Sequence, residues 1–168
     1  NGLNPGLLPP LLEKADGIKG EVTSAKILPL VSGLVHAGRA RIGDVAIPFT
    51  MTNGEARAQN IAAVDGSTKL NGALRLNFAG QTLAGDIGLD FDAGEESLAG
   101  GDAALRLVYS GDIAEPVEKL DVGDMSNFLS MRAFEKERRR VETLQASVLE
   151  KQRLRREAAF YAFRETER

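Results

Sequence analysis

The chain has 168 residues, of which 43% are hydrophobic but only 5% aromatic, and 18 are glycine. Because it contains no Cys, disulfides, thiolate nucleophiles and Cys-ligated zinc or iron–sulfur centres are excluded. The net charge of −3 divides unevenly: residues 1–131 carry ten Lys or Arg against seventeen Asp or Glu, whereas residues 132–168 carry eleven against seven, so an acidic body precedes a basic tail.

Residues 1–38 form the first predicted region, a segment of short helices. Four leucines repeat at helical spacing after Pro5, at positions Leu7, Leu8, Leu11 and Leu12. A second helical run, Ser24–Val35, is expected to break at Pro29 and to end before Gly38. The most apolar stretch, residues 27–37, is shorter than the ~18–20 residues that span a bilayer, so any membrane anchor is expected outside this chain.

Residues 39–122 form the second region, where hydrophobic side chains recur every second residue. This alternation predicts strands around residues 45–51, 70–78, 83–91 and 103–109, with a weaker strand at 55–63. Turn signals such as Asn53-Gly54 and Asp65-Gly66 separate them. The pattern predicts a five-stranded antiparallel meander with one apolar and one polar face. A helix, a second sheet or a ligand must cover the apolar face.

The alternating residues define a candidate groove on that face. Burying one Leu, Ile or Phe side chain contributes roughly 1.5–3 kcal/mol, and the N-terminal helices offer few large apolar residues to cover them all. Part of the face is therefore expected to stay open to a ligand. The candidate groove residues are Val45, Ile47, Phe49, Leu74, Leu76, Phe78, Ile87, Leu89, Phe91, Leu105 and Leu107.

Residues 123–168 form the third region, predicted to be one long, mostly exposed helix capped by Asp124 or Ser126. Four apolar positions follow a coiled-coil spacing, at Phe134, Val141, Leu144 and Val148. The next positions of the same spacing are occupied by Lys151 and Arg155. A coiled coil could therefore begin here but not easily continue. The closing aromatic group, Phe160, Tyr161 and Phe163, is expected to stay uncovered without a partner or a membrane.

The helix also carries two runs of basic side chains that could contact phosphate groups. The candidates are Arg138, Arg139, Arg140, Arg153, Arg155 and Arg156. Acidic residues interleave with them, so a solvated helix with ion pairs such as Glu135–Arg139 is the simpler interpretation. Of the phosphate-bearing partners, lipid headgroups are favoured over nucleic acid because the body is acidic.

Residues that could support catalysis or bind a metal are sparse. His36 is the single histidine, so no metal triad or nucleophile–base pair can be built around it. Asp90, Asp92, Glu95 and Glu96 resemble a loose calcium loop, but Gly94 stands where a third ligand is needed. We therefore predict no catalytic, cofactor-binding or metal-binding residues and expect that the chain is not an enzyme.

Residues 109–142 resemble the C-terminal end of AsmA-like proteins, especially those of alphaproteobacteria. A final strand, a Ser-Gly…Pro turn and a Leu-Asp-Val step lead into a helix of the pattern L-x-x-R-A-x-E-x-E-x-x-R. In this sequence the pattern residues are Leu129, Arg132, Ala133, Glu135, Glu137 and Arg140. The glycine-rich meander upstream is also similar to that family.

The resemblance implies a function as well as a fold. AsmA-like proteins are anchored in the inner membrane, extend a curled β-sheet into the periplasm, and are thought to hold phospholipid acyl chains for outer-membrane lipid supply. The chain is then expected to be a periplasmic, non-catalytic lipid-handling β-domain, with its anchor outside these residues. The alternative is a structural or assembly module with a closed core, whose C-terminal helix binds a protein partner.

Overall fold

A computed structural model describes the backbone of residues 2–166 and their side chains, except those of residue 161 and of residues 163–166. The chain divides into two compact units between Arg132 and Ala133. The elements in chain order are α1 (Leu8–Asp16), α2 (Ser24–Val35), β1 (Phe49–Thr52), β2 (Glu55–Asp65), β3 (Thr68–Asn77), β4 (Thr82–Phe91), a single 3-10 turn (Gly94–Glu96), β5 (Ala104–Asp112), β6 (Pro116–Asp121) and α3 (Gly123–Thr166).

The six strands form one open sheet in the order β1-β2-β3-β4-β5-β6, with every neighbouring pair antiparallel. This confirms the predicted antiparallel meander, short N-terminal helices and long C-terminal helix, which together make an α+β fold. The strand count was wrong, since β6 was not predicted. Val117 pairs with Ser110 and Leu120 with Leu107, so the two apolar residues of β6 lie on opposite faces and give no alternating pattern.

A β-bulge in β2 explains why that strand looked weak in the sequence. Ala58 pairs with Leu74 and Ile61 with Gly72, so two residues of β2 oppose one residue of β3. Asn60, in the bulge, has a positive φ of 55°, a conformation that Asn tolerates better than most residues. The extra residue reverses the alternation, so that Ala58 and Ile61 face the same side of the sheet.

The first predicted strand is shorter than expected. β1 begins at Phe49, so Val45 and Ile47 lie in an irregular segment, residues 39–48, and not in the sheet. Pro48 immediately precedes the strand and has no N–H with which to extend the ladder. Gly43 adopts a positive φ of 61° in the same segment, which also departs from an extended strand.

The first unit has a hydrophobic core between the sheet and the helices. α1 contributes Leu8 and Leu11, and α2 contributes Ile27, Val31 and Val35 at i, i+4 and i+8, all at most 6% exposed. From the sheet and the first turns of α3 come Leu89, Phe91, Leu105, Leu107, Met125, Phe128 and Leu129. The core therefore lies over the β4–β5 part of the apolar face.

α2 runs unbroken through Pro29, contrary to the predicted break. Pro29 itself is exposed, so the carbonyl left without its N–H partner lies on the solvent side of the helix. The buried stripe of Ile27, Val31 and Val35 on the other side holds both halves of the helix against the core. Tertiary packing thus outweighs the cost of about 3 kcal/mol of an interior proline.

α3 begins at Gly123, ahead of both residues that were predicted to cap it. The Val122 carbonyl accepts the first helical hydrogen bond, from the Ser126 N–H at 2.8 Å, and the Asp121 carboxylate accepts one from the Gly123 N–H at 2.9 Å. Neither Asp124 nor Ser126 therefore caps the helix. Ser126 is instead buried within the first turns. The prediction of one long helix is confirmed, because α3 continues to Thr166.

Candidate functional site

An apolar groove of about 370 Å³ lies on the apolar face of the sheet, beside the hydrophobic core. Its floor comes from β2 to β5, and the irregular segment 39–48 forms one wall with Ile42, Val45 and Ile47. The volume falls within the roughly 300–1,000 Å³ of small-molecule sites. The hydrophobic side chains and prolines that line it are Leu3, Ile42, Val45, Ile47, Ile61, Ala63, Leu70, Leu74, Leu83, Ile87, Tyr109 and Pro116.

Two glycines keep the floor of the groove open. Gly72 on β3 and Gly85 on β4 occupy positions that face the groove. A Cβ at Gly72 would lie 2.7 Å from the Asp86 carbonyl oxygen, and one at Gly85 would lie 2.8 Å from the Ala73 carbonyl oxygen. Both distances are shorter than real contacts allow, so the close backbone approach here requires glycine.

The structure separates the eleven predicted groove residues into three groups. Four line the groove, namely Val45, Ile47, Leu74 and Ile87. Four others, Leu89, Phe91, Leu105 and Leu107, are at most 8% exposed and belong to the closed core, so placing them in a groove was wrong. The remaining three lie beyond the groove on the same side of the sheet: Leu76 is half-buried, and Phe49 and Phe78 are 68% and 48% exposed.

Sequence reasoning missed several lining residues for identifiable reasons. Leu70 and Leu83 had been placed in strands but not in the groove. Ile61 and Ala63 come after the bulge, which disguised their face. Leu3 and Ile42 lie outside any strand or helix, and no periodicity could reveal their position.

A polar cluster stands at the β6 edge of the groove. Glu118 accepts hydrogen bonds from Tyr109 Oη at 2.7 Å and from His36 Nε2 at 2.8 Å. Tyr109 also lines the groove. Partial burial favours the protonated Glu118 carboxyl, but the hydrogen bonds from His36 and Tyr109 outweigh this, and the pKa of Glu118 is lowered. Burial, with the bond to Glu118, raises the pKa of Tyr109 to about 12.

This cluster gives His36 a role that the sequence did not suggest. His36 follows α2, whereas Glu118 lies 82 residues later on β6. The separation explains why no motif joined them. Among the described residues, His36 forms a hydrogen bond with one acidic side chain, that of Glu118.

The opposite face of the sheet carries a wider depression of about 540 Å³ with a different character. Arg57, Arg75 and Arg106 are among its lining residues. Glu55 accepts a hydrogen bond from Arg57 and lies 3.2 Å from Arg75 Nε. The hydrogen bond from Arg57 lowers the pKa of Glu55 despite desolvation. Charges on this face therefore compensate each other in part.

Arg132 joins three parts of the first unit. Its guanidinium is 7% exposed and donates to Asp16, at the end of α1, and to Glu96, in the 3-10 turn, with Nε 2.7 Å from Glu96 Oε2. Burial lowers the Arg132 pKa, but these hydrogen bonds raise it by more. Arg132 therefore connects the end of α1, the 3-10 turn and the start of α3 through hydrogen bonds.

The residues considered as a loose calcium loop have other partners. Asp90 accepts a hydrogen bond from Asn71, Asp92 accepts one from the Gly94 N–H, and Glu96 pairs with Arg132. Glu95 is exposed. Within residues 2–166 no group of three His, Asp or Glu side chains is placed to hold a metal ion.

The second unit presents both apolar and basic side chains to solvent. Phe134, Val141, Leu144 and Val148 are 42–73% exposed, and Phe160 is 57% exposed. The side chains of Tyr161 and Phe163 lie outside the described residues. Ion pairs join Arg138 to Glu135 and Glu142, Arg140 to Glu137, and Arg153 to Glu150 and Glu157.

Those ion pairs differ in detail from the predicted ones. Glu135 pairs with Arg138 at i,i+3, whereas a pair with Arg139 at i,i+4 was expected. Arg139, Arg155 and Arg156 are exposed, and no ion pair with them occurs among the described side chains. Among the described side chains, three of the six basic candidates therefore form ion pairs and three do not.

No family model, curated protein or solved structure matches this chain. Over the described part of the chain, no helix combines the length and the apolar character that crossing a membrane requires.

Proposed function

We propose that this chain is a non-catalytic lipid-handling domain that holds a phospholipid acyl chain in the apolar groove. The observation that carries the proposal is the partial cover of the apolar face: Leu89 and Leu107 are fully buried, whereas Ile42 and Ile47, which line the groove, are 45% and 48% exposed. Exposed apolar surface of this kind is typical of binding sites. An acyl chain needs no polar partner, which suits the hydrophobic lining.

The wider setting belongs to the same proposal. The resemblance of residues 109–142 to AsmA-like proteins supports a periplasmic domain, tethered to the inner membrane by a segment outside this chain, that takes part in outer-membrane lipid supply. The proposal includes no enzymatic reaction and no nucleic-acid partner. The groove, with its glycine floor at Gly72 and Gly85, would be the part of the domain that touches lipid.

A groove-filling variant tests the proposal directly. Ala63 pairs with Leu70 and lines the groove, whereas its neighbour Ala62 pairs with Asn71 and is exposed on the opposite face. We expect Ala63→Trp to reduce the lipid that co-purifies with the protein at least several-fold, because the indole would occupy the space of the acyl chain. Mass spectrometry of organic extracts measures the bound lipid.

Ala62→Trp is the matched control, since it adds the same side chain to the same strand on the other face. It is expected to keep the wild-type amount of lipid. Circular dichroism would establish that both variants are folded. A folded Ala63→Trp protein that retains the wild-type lipid content would refute the groove.

A second candidate function follows from the exposed side chains of α3. Phe134, Val141 and Val148 recur at seven-residue spacing, and each is at least 42% exposed. Such a line can pack against another helix, which supports a structural or assembly module that binds a protein partner. Replacing Val141 and Val148 with Ser should abolish the binding of a protein partner in a pull-down from cell-envelope extracts. The amount of lipid bound in the groove should stay unchanged. Unaffected partner binding would exclude these side chains as the interface.

A further inference from the structure

The groove has a polar end whose position is set by strand register. Leu74, Gly85, Tyr109 and Glu118 pair in succession across β3, β4, β5 and β6. With neighbouring strands about 4.8 Å apart, Glu118 lies roughly 14 Å from Leu74 along this row. A molecule lying across the row would have its apolar part over Leu74 and Gly85 and its other end beside Glu118.

The Glu118 carboxylate can accept more hydrogen bonds than it receives. An ionised carboxylate offers about four lone-pair sites and no donor. Tyr109 Oη and His36 Nε2 each occupy one oxygen, and the side chain is 32% exposed. One carboxylate therefore combines negative charge, free acceptor sites and access from solvent at the edge of an apolar groove.

The one charged side chain among the described lining residues of the groove is acidic. Among its described lining residues there is no Lys or Arg. Asp86, the acidic residue among them, pairs with Ala73 and Val108 on the polar side of the sheet. An anionic headgroup at the β6 edge would meet the Glu118 carboxylate without a lining cation to offset the repulsion, whereas an ammonium group would be attracted.

We propose that the ligand of this groove is a phospholipid with an ammonium headgroup, and that Glu118 binds the ammonium group. The inference rests on the proposed lipid-handling function and adds headgroup selection to it. Tyr109 and His36 act as positioning residues, because their hydrogen bonds hold the Glu118 carboxylate at the rim. The acyl chain supplies affinity through the hydrophobic lining, and the headgroup contact supplies the preference.

The experiment is a competition between two headgroups on identical acyl chains. The full chain is incubated with vesicles containing equal amounts of phosphatidylethanolamine and phosphatidylglycerol, reisolated, and its bound lipid quantified by mass spectrometry. We expect an enrichment of phosphatidylethanolamine of roughly 2- to 5-fold, the range of a partly exposed charge pair. The enrichment should disappear in Glu118→Gln, which keeps the shape and the acceptor oxygen for Tyr109, while total lipid stays at the wild-type level.

Glu115→Gln is the matched control, because Glu115 is an exposed acid in the turn just before β6 and is expected to leave the enrichment unchanged. A second measurement needs no variant. Raising NaCl from about 0.01 M to about 1 M shortens the Debye length from about 30 Å to about 3 Å, so the enrichment should fall while total bound lipid does not.

The outcomes separate the two proposals. If the wild-type protein retains no lipid, the lipid-handling function itself fails. If it retains both lipids equally, or if folded Glu118→Gln keeps the enrichment, the groove stands but headgroup selection by Glu118 is refuted. A preference that is insensitive to salt would likewise refute the charge-based contact.

Discussion

Leu89 and Leu76 show how much the environment of a residue can differ on one face of one sheet. Leu89 is fully buried in the core, whereas Leu76 is half-buried beyond the groove. We expect Leu89→Ala to lower the free energy of unfolding by about 2–5 kcal/mol, since it leaves a cavity in a packed core. Leu76→Ala should cost less than about 1.5 kcal/mol, because water already reaches that side chain.

Urea unfolding followed by circular dichroism measures both costs. Equal losses would contradict the division of the face into a closed and an open part. The same two positions can be compared with a charged side chain. Leu89→Glu is expected to prevent folding, whereas Leu76→Glu should fold, so that its bound lipid can be measured.

Tyr109 supplies a residue-scale prediction at alkaline pH. Its pKa is raised to about 12 from the ordinary value of about 10. Between these values the folded chain keeps a proton that the unfolded chain releases, so stability falls as pH rises from about 10 to about 12. We expect Tyr109→Phe to lack this contribution and to show a shallower loss in urea unfolding over that range. An identical pH dependence in the two proteins would show that the pKa of Tyr109 is not raised in the folded chain.

At the scale of the element, Arg132 fastens the start of α3 to α1 and to the 3-10 turn. Arg132→Ala removes hydrogen bonds to two carboxylates, each worth roughly 1.5–3 kcal/mol. Because Asp16 and Glu96 are 45% and 40% exposed, water can solvate them in the variant, so a total loss of about 1.5–3 kcal/mol is expected. Chemical denaturation measures it.

Arg106→Ala is the control for this prediction. Arg106 is exposed on β5, and its truncation should change stability by less than about 0.5 kcal/mol. If the free energy of unfolding falls equally in the two variants, the hydrogen bonds of Arg132 do not stabilise the fold.

Elements with regular periodicity could be predicted from the sequence, and irregular ones could not. β3, β4 and β5 alternate strictly between faces, and each was expected. β6 escaped because Val117 and Leu120 face opposite sides. β2 looked weak because the bulge at Asn60 shifts its alternation. The alternation of apolar and polar residues shows which face of the sheet a side chain occupies. It does not show where a bulge reverses that alternation.

The site was predictable only in part for a related reason. Alternation places Leu74 and Leu107 on one face, and register confirms that they share it. Which of them is buried depends on how far α1, α2 and the start of α3 extend over the sheet. That extent is set by tertiary packing, so Leu107 entered the core while Leu74 remained in the groove.

At the scale of the whole molecule, a ligand that binds only the folded state must stabilise it. At a free concentration of about 100 times Kd, binding adds about 2.7 kcal/mol to the free energy of unfolding. For a chain of this size each kcal/mol corresponds to roughly 2–4 °C in Tm. We therefore expect a monomeric lysophosphatidylethanolamine, added below its micellar concentration, to raise Tm by about 5–10 °C in differential scanning calorimetry.

The variants that probe the groove make this last prediction specific. Ala62→Trp should show the wild-type increase in Tm, because its side chain lies on the other face. Ala63→Trp should show almost none, because the indole already fills the space that the acyl chain would occupy. A fall in Tm of the wild-type protein would mean that the amphiphile binds the unfolded chain more strongly, as detergents do. The groove would then not hold the acyl chain in the folded protein, and the assembly-module alternative, in which α3 binds a protein partner, would be favoured.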